Sequence, residues 1–306
     1  MRGLVVYYSQ TGNTKKVAYS IHKGMSQLME QCDIAPIKEI DPRVFYQYDL
    51  VGLGSPIWGT TPDNVTRFIY SIPHSDGKHI FSFNTHGSLP RWYFPVVIRR
   101  LNERGFKVIG YRGWFASVHI QCFPSPYYTD GHPDEIDLNE AEDFGREMVE
   151  VSRRITAGGT QLIPPVPDFA PPLPYKLPLG IRSPHGNTKY NKEKCLYPKC
   201  HLCMDNCPNN YIDLGASPPK FGDRFTECTS GCSYCELICP TAAIYIDEDD
   251  LKWGTELLQT HHDYFEQTLA EEEAAGNFRR LVPLDKIGWD TPYYIVHNKH
   301  PRYRID

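Results

Sequence analysis

A chain of 306 residues with 41% hydrophobic and 23% charged positions has the make-up of an ordinary globular protein with room for two domains. A net charge of -5 without any Lys/Arg-rich block excludes the electrostatic footprint of a nucleic-acid binder and suits basic protein partners. No run approaches the roughly 18 apolar residues of a membrane span, and the first residues read as a strand rather than the apolar core of a signal peptide, so a cytoplasmic protein is expected.

Gly3 to Ser9 is a continuous apolar run, which predicts a strand buried on both faces of a parallel sheet. It runs into Ser9-Gln10-Thr11-Gly12-Asn13-Thr14 and then a helix from Lys15 to about Glu30, with Val17, Ile21 and Leu28 on its apolar stripe. Hydroxyls, an amide and a glycine between a buried strand and a helix N-terminus make a phosphate cradle, because backbone N–H groups and the helix dipole attract an anion. A plain capping turn is the simpler alternative. Cys32–Ile40 predicts a short strand. Asp49–Ile57 predicts a stronger one ending in Ser55-Pro56-Ile57-Trp58-Gly59, followed by a helix over Pro62–Ser71. His79–Phe83 is the fourth strand, with Asn84-Thr85-His86-Gly87 at its C-terminal end. A helix over Arg91–Gly105, a strand over Lys107–His119 and a helix over Leu138–Ile155 complete a doubly wound α/β unit.

The string Ser-x-Thr-Gly-Asn-Thr after the first strand resembles the FMN-phosphate loop of flavodoxins, and about half the chain follows that family's order of elements. The resemblance implies the sheet order 2-1-3-4-5 and an FMN held by Ser9 to Thr14, by Ser55 to Gly59 and by Asn84 to Gly87. Trp58 would then stack on the flavin ring, against the alternative of a core tryptophan, and His86 would stack or hydrogen-bond near the reactive nitrogen, against the alternative of a solvated loop histidine.

Eight of the ten cysteines lie between residues 195 and 239, in the runs Cys195-x4-Cys200-x2-Cys203-x3-Cys207-Pro208 and Cys228-x3-Cys232-x2-Cys235-x3-Cys239-Pro240. Short gaps let a turning backbone aim successive soft thiolates at one compact site, which selects iron-sulfur, zinc or cuprous chemistry. Cys200/Cys203 with Cys232/Cys235 would satisfy one zinc ion but leave four cysteines and both Cys-Pro steps without a role, and a disulfide framework is the remaining alternative. From about Lys194 to Asp247 the segment resembles the two-cluster ferredoxins, although its first gaps of four and three residues exceed the usual two. That resemblance implies two 4Fe-4S clusters with crossed ligands: Cys195, Cys200 and Cys203 with Cys239, and Cys228, Cys232 and Cys235 with Cys207. The extra residues read as enlarged loops that alter solvent access to the clusters.

Cys32 and Cys122 read as small buried hydrophobes. The expected organisation is a flavodoxin-like domain over 1–156, a stiff proline-rich linker over 157–190, a small α+β two-cluster ferredoxin domain over 191–247 and a helical C-terminal extension over 248–306. In the extension, 250–280 predicts one helix, His261-His262 has no further ligand at metal spacing, and the aromatic tail with Trp289, Tyr293, Tyr294 and His297 packs on its own domain or on a sister subunit of a possible homodimer. The whole layout resembles the flavodoxin-ferredoxin fusion proteins, which implies low-potential electron transfer between FMN, clusters and partner redox proteins. The chain has no Gly-x-Gly-x-x-Gly, so NAD(P)H is not expected to bind directly. Two further functions stay open: a flavin-dependent reductase fed by its own clusters, with the Cys122–Pro133 segment and its Tyr127-Tyr128 pair as a cover, and a non-redox module with structural zinc.

Overall fold

The computed structural model describes residues 1–57, 61–88, 92–169, 188–222, 228, 232 and 234–295, in two compact units. The first contains the described residues of 1–116 and 131–169; the second contains 117–130 and those from 188 onward. The run expected as one domain over 1–156 is therefore interrupted, because 117–130 packs with the C-terminal unit.

The first unit is a five-stranded sheet of β1 (Arg2–Tyr7), β2 (Gln31–Pro36), β3 (Leu50–Pro56), β4 (His79–His86) and β5 (Lys107–Phe115), all parallel in the order β2-β1-β3-β4-β5. Successive side chains of a strand face opposite ways. Leu4, Val6 and Tyr8 accordingly enter one core, while Val5 and Tyr7 enter another. The first core is covered by α2 (Asp63–Ser71) and α3 (Tyr93–Glu103) through Val65, Phe68, Ile69, Val97, Ile98 and Leu101. The second is covered by α1 (Asn13–Ser26) and α4 (Glu135–Thr156) through Val17, Ile21, Met25, Phe144, Met148 and Val149. Each such Val, Ile, Leu, Met or Phe stabilises the fold by about 1.5–3 kcal/mol relative to exposure. Two glycines allow α1 and α4 to touch backbone to backbone: a Cβ on Gly24 would lie 1.9 Å from the Glu142 carbonyl oxygen, and one on Gly145 would lie 2.2 Å from that of Ile21. Asp134 caps α4 by accepting from the Ile136 and Asp137 N–H groups, and Asp137 returns the bond to the Asp134 N–H.

In the second unit β6 (Thr188–Tyr190) pairs antiparallel with β7 (Ile244–Ile246), and an isolated bridge joins Asp213 to Lys220. Short helices α5 (Leu202–Asp205) and α6 (Tyr234–Ile238) lie within the two cysteine runs. The expected single helix over 250–280 is two, α7 (Glu248–Gln259) and α8 (His262–Ala274). The break has a local cause. Thr260 Oγ1 donates to the Leu257 carbonyl at 2.6 Å, and the His261 N–H turns to the Leu258 carbonyl, tightening the last turn. Around α7, Ile246, Leu251, Leu258 and Tyr294 bury Cys122. Backbone bonds hold the 117–130 segment to 288–294: Tyr293 and Tyr294 donate to Phe123 and Gln121, and Gly288 donates to Pro126. Tyr127 and Tyr128 are thereby buried in the second unit, with Phe265, His262 and Trp289 around them. Among the described residues, no helix is long and apolar enough to cross a membrane.

Candidate cofactor sites

Two places concentrate the predicted site residues. The first is the C-terminal end of the parallel sheet, where open α/β sheets bind ligands. Gly12 caps α1 with φ at +100°, a left-handed conformation that favours glycine, and no side chain caps the helix. The first turn has no acidic residue and instead carries Lys15 and Lys16, opposite to what the helix dipole favours. That arrangement suits an anion at this end. Ser9 Oγ accepts from the Lys15 N–H at 3.3 Å, and Gln10 and Thr11 lie beside it, half-buried. Asn13 and Thr14 are buried, and Thr14 Oγ1 meets Thr85 Oγ1 at 2.7 Å, tying the first loop to the third.

The hydroxyl of Ser55 donates to Tyr93 Oη at 3.0 Å, and Tyr93 donates to the Phe83 carbonyl at 3.2 Å. That hydroxyl is engaged in the core, and Tyr93, which sequence reading missed, is its support. Pro56, Ile57 and Gly87 are half-buried, while Trp58 and Gly59 lie outside the described residues. Asn84, Thr85 and His86 belong to β4, which extends three residues beyond its expected end. His86 is buried: its ring lies 4.6 Å from that of Phe115, and its Nδ1 is 2.8 Å from Asn84 Oδ1. Burial pushes its pKa down to about 3, so the imidazole is neutral. An amide oxygen is an acceptor, so Nδ1 carries the proton and Nε2 keeps a lone pair. Asn84 Nδ2 and the hydroxyl of Thr61, another residue the sequence did not flag, are buried without a hydrogen-bond partner among the described residues. Each costs about 1–3 kcal/mol unless a ligand completes it.

The second place is a small pocket lined by Cys195, Cys200, Cys203 and Cys239, with Leu196, Leu202, Leu214, Pro240, Thr241, Ala243 and Ile244. Three of these cysteines come from the first run and one from the second, and the strand pairing explains the crossing. The chain entering the first run (β6) pairs with the chain leaving the second (β7), so Tyr190 and Ile244 face each other five residues from Cys195 and Cys239. The Asp213–Lys220 bridge makes the reciprocal connection, joining the exit of the first run to the entry of the second. The fourth cysteines repeat one local geometry: Cys207 Sγ accepts from the Tyr211 N–H at 3.4 Å and Cys239 Sγ from the Ala243 N–H at 3.2 Å. Cys207 is buried, Cys228, Cys232 and Cys235 are half-buried, and a Cβ on Gly222 would lie 3.0 Å from Cys228 Sγ.

None of the ten cysteines forms a disulfide. No three sulfurs among the described cysteines lie within 4.8 Å of one another. The same soft thiolates suit tetrahedral zinc or an iron-sulfur cluster. Burial first, then the neighbouring Cys239, Cys195 and Cys200, push the Cys203 thiol up to about 12, so a nearby cation would favour its thiolate.

Comparison with known proteins bears on the first unit. The flavodoxin domain family matches residues 4–101. The flavodoxin-like domain-containing protein BilS of Clostridioides difficile is 45% identical over 175 residues, covering 49% of this chain and 97% of the relative. The chain belongs to the flavodoxin-like proteins. An uncharacterized protein of Methanocaldococcus jannaschii is 26% identical over 157 residues, 49% of this chain and 99% of its own length. A flavodoxin of known structure from the domain Archaea aligns over 50% of this chain and 99% of its own at 18% identity, with a TM-score of 0.40. Each match spans about half of the flavodoxin-like chain. Its fold rests on the observed strand order, that of the flavodoxin-like doubly wound sheet.

Proposed function

We propose that this flavodoxin-like protein is an electron carrier that holds FMN at the C-terminal end of its sheet and two 4Fe-4S clusters in its cysteine region, and passes electrons to or from partner redox proteins. The observation that carries the proposal is the pocket lined by Cys195, Cys200, Cys203 and Cys239, three thiols of the first run and one of the second, which is the crossed set that the two-cluster spacing implies. Cys207 with Cys228, Cys232 and Cys235 is its counterpart by the repeat of spacing and of the i+4 backbone bond. When bound, the flavin exchanges an electron pair for single electrons and the clusters relay them.

The chain's own residues set the conditions. The α1 N-terminus with Lys15 and Lys16 favours the phosphate, Ser9 and Thr14 supply hydroxyls, and Asn84 Nδ2 and Thr61 Oγ1 are buried polar atoms that a bound cofactor could satisfy. His86, held neutral by burial, adds no positive charge that would favour an anionic flavin. Backbone N–H groups of Tyr197, Tyr211 and Ala243 point at cysteine sulfurs, which raises a cluster's potential relative to bare thiolates.

An anaerobic reductive titration of freshly purified protein tests the proposal. Two electrons for FMN and one for each cluster give an uptake of about four per chain, with overlapping flavin and iron-sulfur bleaching. An uptake near two with no iron present removes the clusters from the proposal, and a colourless protein removes both cofactors.

A further inference from the structure

The enlarged first gap, Leu196-Tyr197-Pro198-Lys199, is exposed throughout. Leu196 leaves 45% and Tyr197 37% of its surface in water, and Leu196 also lines the four-cysteine cavity. Two large apolar side chains are thus presented side by side at the edge of the proposed redox site, a composition that marks contact surfaces. Lys199 within the gap and Lys192 and Lys194 just before it are exposed, with no acidic partner among the described residues. The only carboxylate in 192–201 is Glu193, so the stretch is locally basic on a chain of net charge -5. The second run has no counterpart: from Cys228 to Cys239 there is no lysine or arginine.

We propose that the 192–201 loop is the docking surface for an acidic one-electron carrier protein, whose carboxylates meet Lys192, Lys194 and Lys199 while Leu196 and Tyr197 form the dry centre of the contact. This rests on the reading of Cys195, Cys200, Cys203 and Cys239 as a cluster site. Cys195, Cys200, Cys203 and Cys239 would hold the cluster that accepts the electron, so that one electron given up by the carrier would be gained by that cluster, with no bond or proton changing hands. It reverses the partner expected from net charge, because docking depends on the local potential at the point of entry rather than on the sum over the chain.

The test uses full-length holoprotein and, as probe, an acidic bacterial flavodoxin reduced by light, mixed anaerobically in a stopped-flow instrument at increasing ionic strength. Wild-type reduction is expected to slow with salt. K192E/K194E/K199E is expected to react about tenfold more slowly at low salt, with the difference closing as screening shortens the range of the field. The milder K192Q/K194Q/K199Q should fall between the two, which guards against a folding defect in the reversal variant. Iron content, cluster potentials and the rate with a neutral small reductant should be the same in all three proteins. Rates that ignore both salt and charge overturn the docking surface while leaving the cluster reading intact. Slowing that extends to the neutral reductant, with shifted potentials, also overturns it, since the lysines then act on the cluster and not on the partner. A wild type without iron removes the cluster reading, and this proposal with it.

Discussion

The two cofactor regions are built on opposite terms. The sheet end of the first unit stands on two apolar cores of 19 and 17 buried residues, so its loops are positioned whether or not a ligand is bound. The four-cysteine cavity is supported by a cluster with only Cys203, Leu214 and Ile244 buried among the described residues, and one of those three is a proposed ligand. Apolar burial scales with the area a segment can cover, and a segment that is mostly turns and short strands covers little. On the proposed function, the flavin would be held by a fold that stands without it, whereas a metal bound by the assembled thiolates would supply folding free energy that the cysteine region lacks.

The largest test of this contrast is removal of metal. Anaerobic chelation or oxidation of the clusters is expected to abolish hydrogen-exchange protection in β6 and β7, because structural metal contributes several kcal/mol of folding free energy. Amides of β1 to β5 should change by less than about twofold. Equal loss of protection in both units would show that they fold as one cooperative body, and retention in both would show that the cysteine region stands without its metal.

Next in size is the crossing of the cysteine runs. Cys239→Ser and Cys200→Ser should each lower iron from about eight to about four per chain and abolish the same cluster signal in electron paramagnetic resonance. Cys235→Ser should remove the other signal. If Cys239→Ser matches Cys235→Ser instead, each run holds its own cluster and the β6–β7 pairing does not set the ligand sets.

The same contrast governs what was legible in the sequence. The strand, loop and helix around Ser9 to Thr14 were readable because buried strands and amphipathic helices leave periodic, local marks. Packing that joins distant segments leaves no period. Nothing within Gln121 to Pro126 marks that its carbonyls accept from residues 288–294, and so the segment was assigned to the first domain. Ser55 read as a binding hydroxyl because its partner, Tyr93, lies 38 residues away. His86 read as a loop residue because the apolar run stops at Phe83, whereas inside the strand His86 pairs with Asn84 Oδ1 and Thr85 with the Thr14 hydroxyl.

If the first unit stands on its cores, overpacking it should cost stability without touching iron. Gly145→Ala places a methyl group 2.2 Å from the Ile21 carbonyl oxygen, on rigid backbone that cannot swing aside. A loss of about 1–3 kcal/mol in denaturant unfolding of the flavodoxin-like unit is expected, with iron content unchanged. A neutral result would mean that α1 and α4 slide apart freely, and that the second core is looser than its burial implies.

The smallest effect sharpens the comparison by pH. His86 has a folded pKa near 3 against 6.5 in an unfolded chain, because burial disfavours the imidazolium. Above pH 6.5 both states are neutral and the ring contributes no pH dependence. Below pH 6.5 the unfolded chain takes up a proton that the folded chain refuses, so the first unit should lose roughly 1.4 kcal/mol for each further pH unit until the buried ring also protonates near pH 3. His86→Asn removes the titrating group while keeping a polar partner for Asn84, and should flatten this slope between pH 6.5 and 5, read as the difference in denaturant midpoint from wild type. The cysteine region contains no comparably buried histidine among its described residues, since His201 is exposed, so its acid loss should follow protonation of thiolates and release of iron instead. A slope unchanged by His86→Asn would place the ring in contact with water, and would open β4 at the very end where the flavin is proposed to bind.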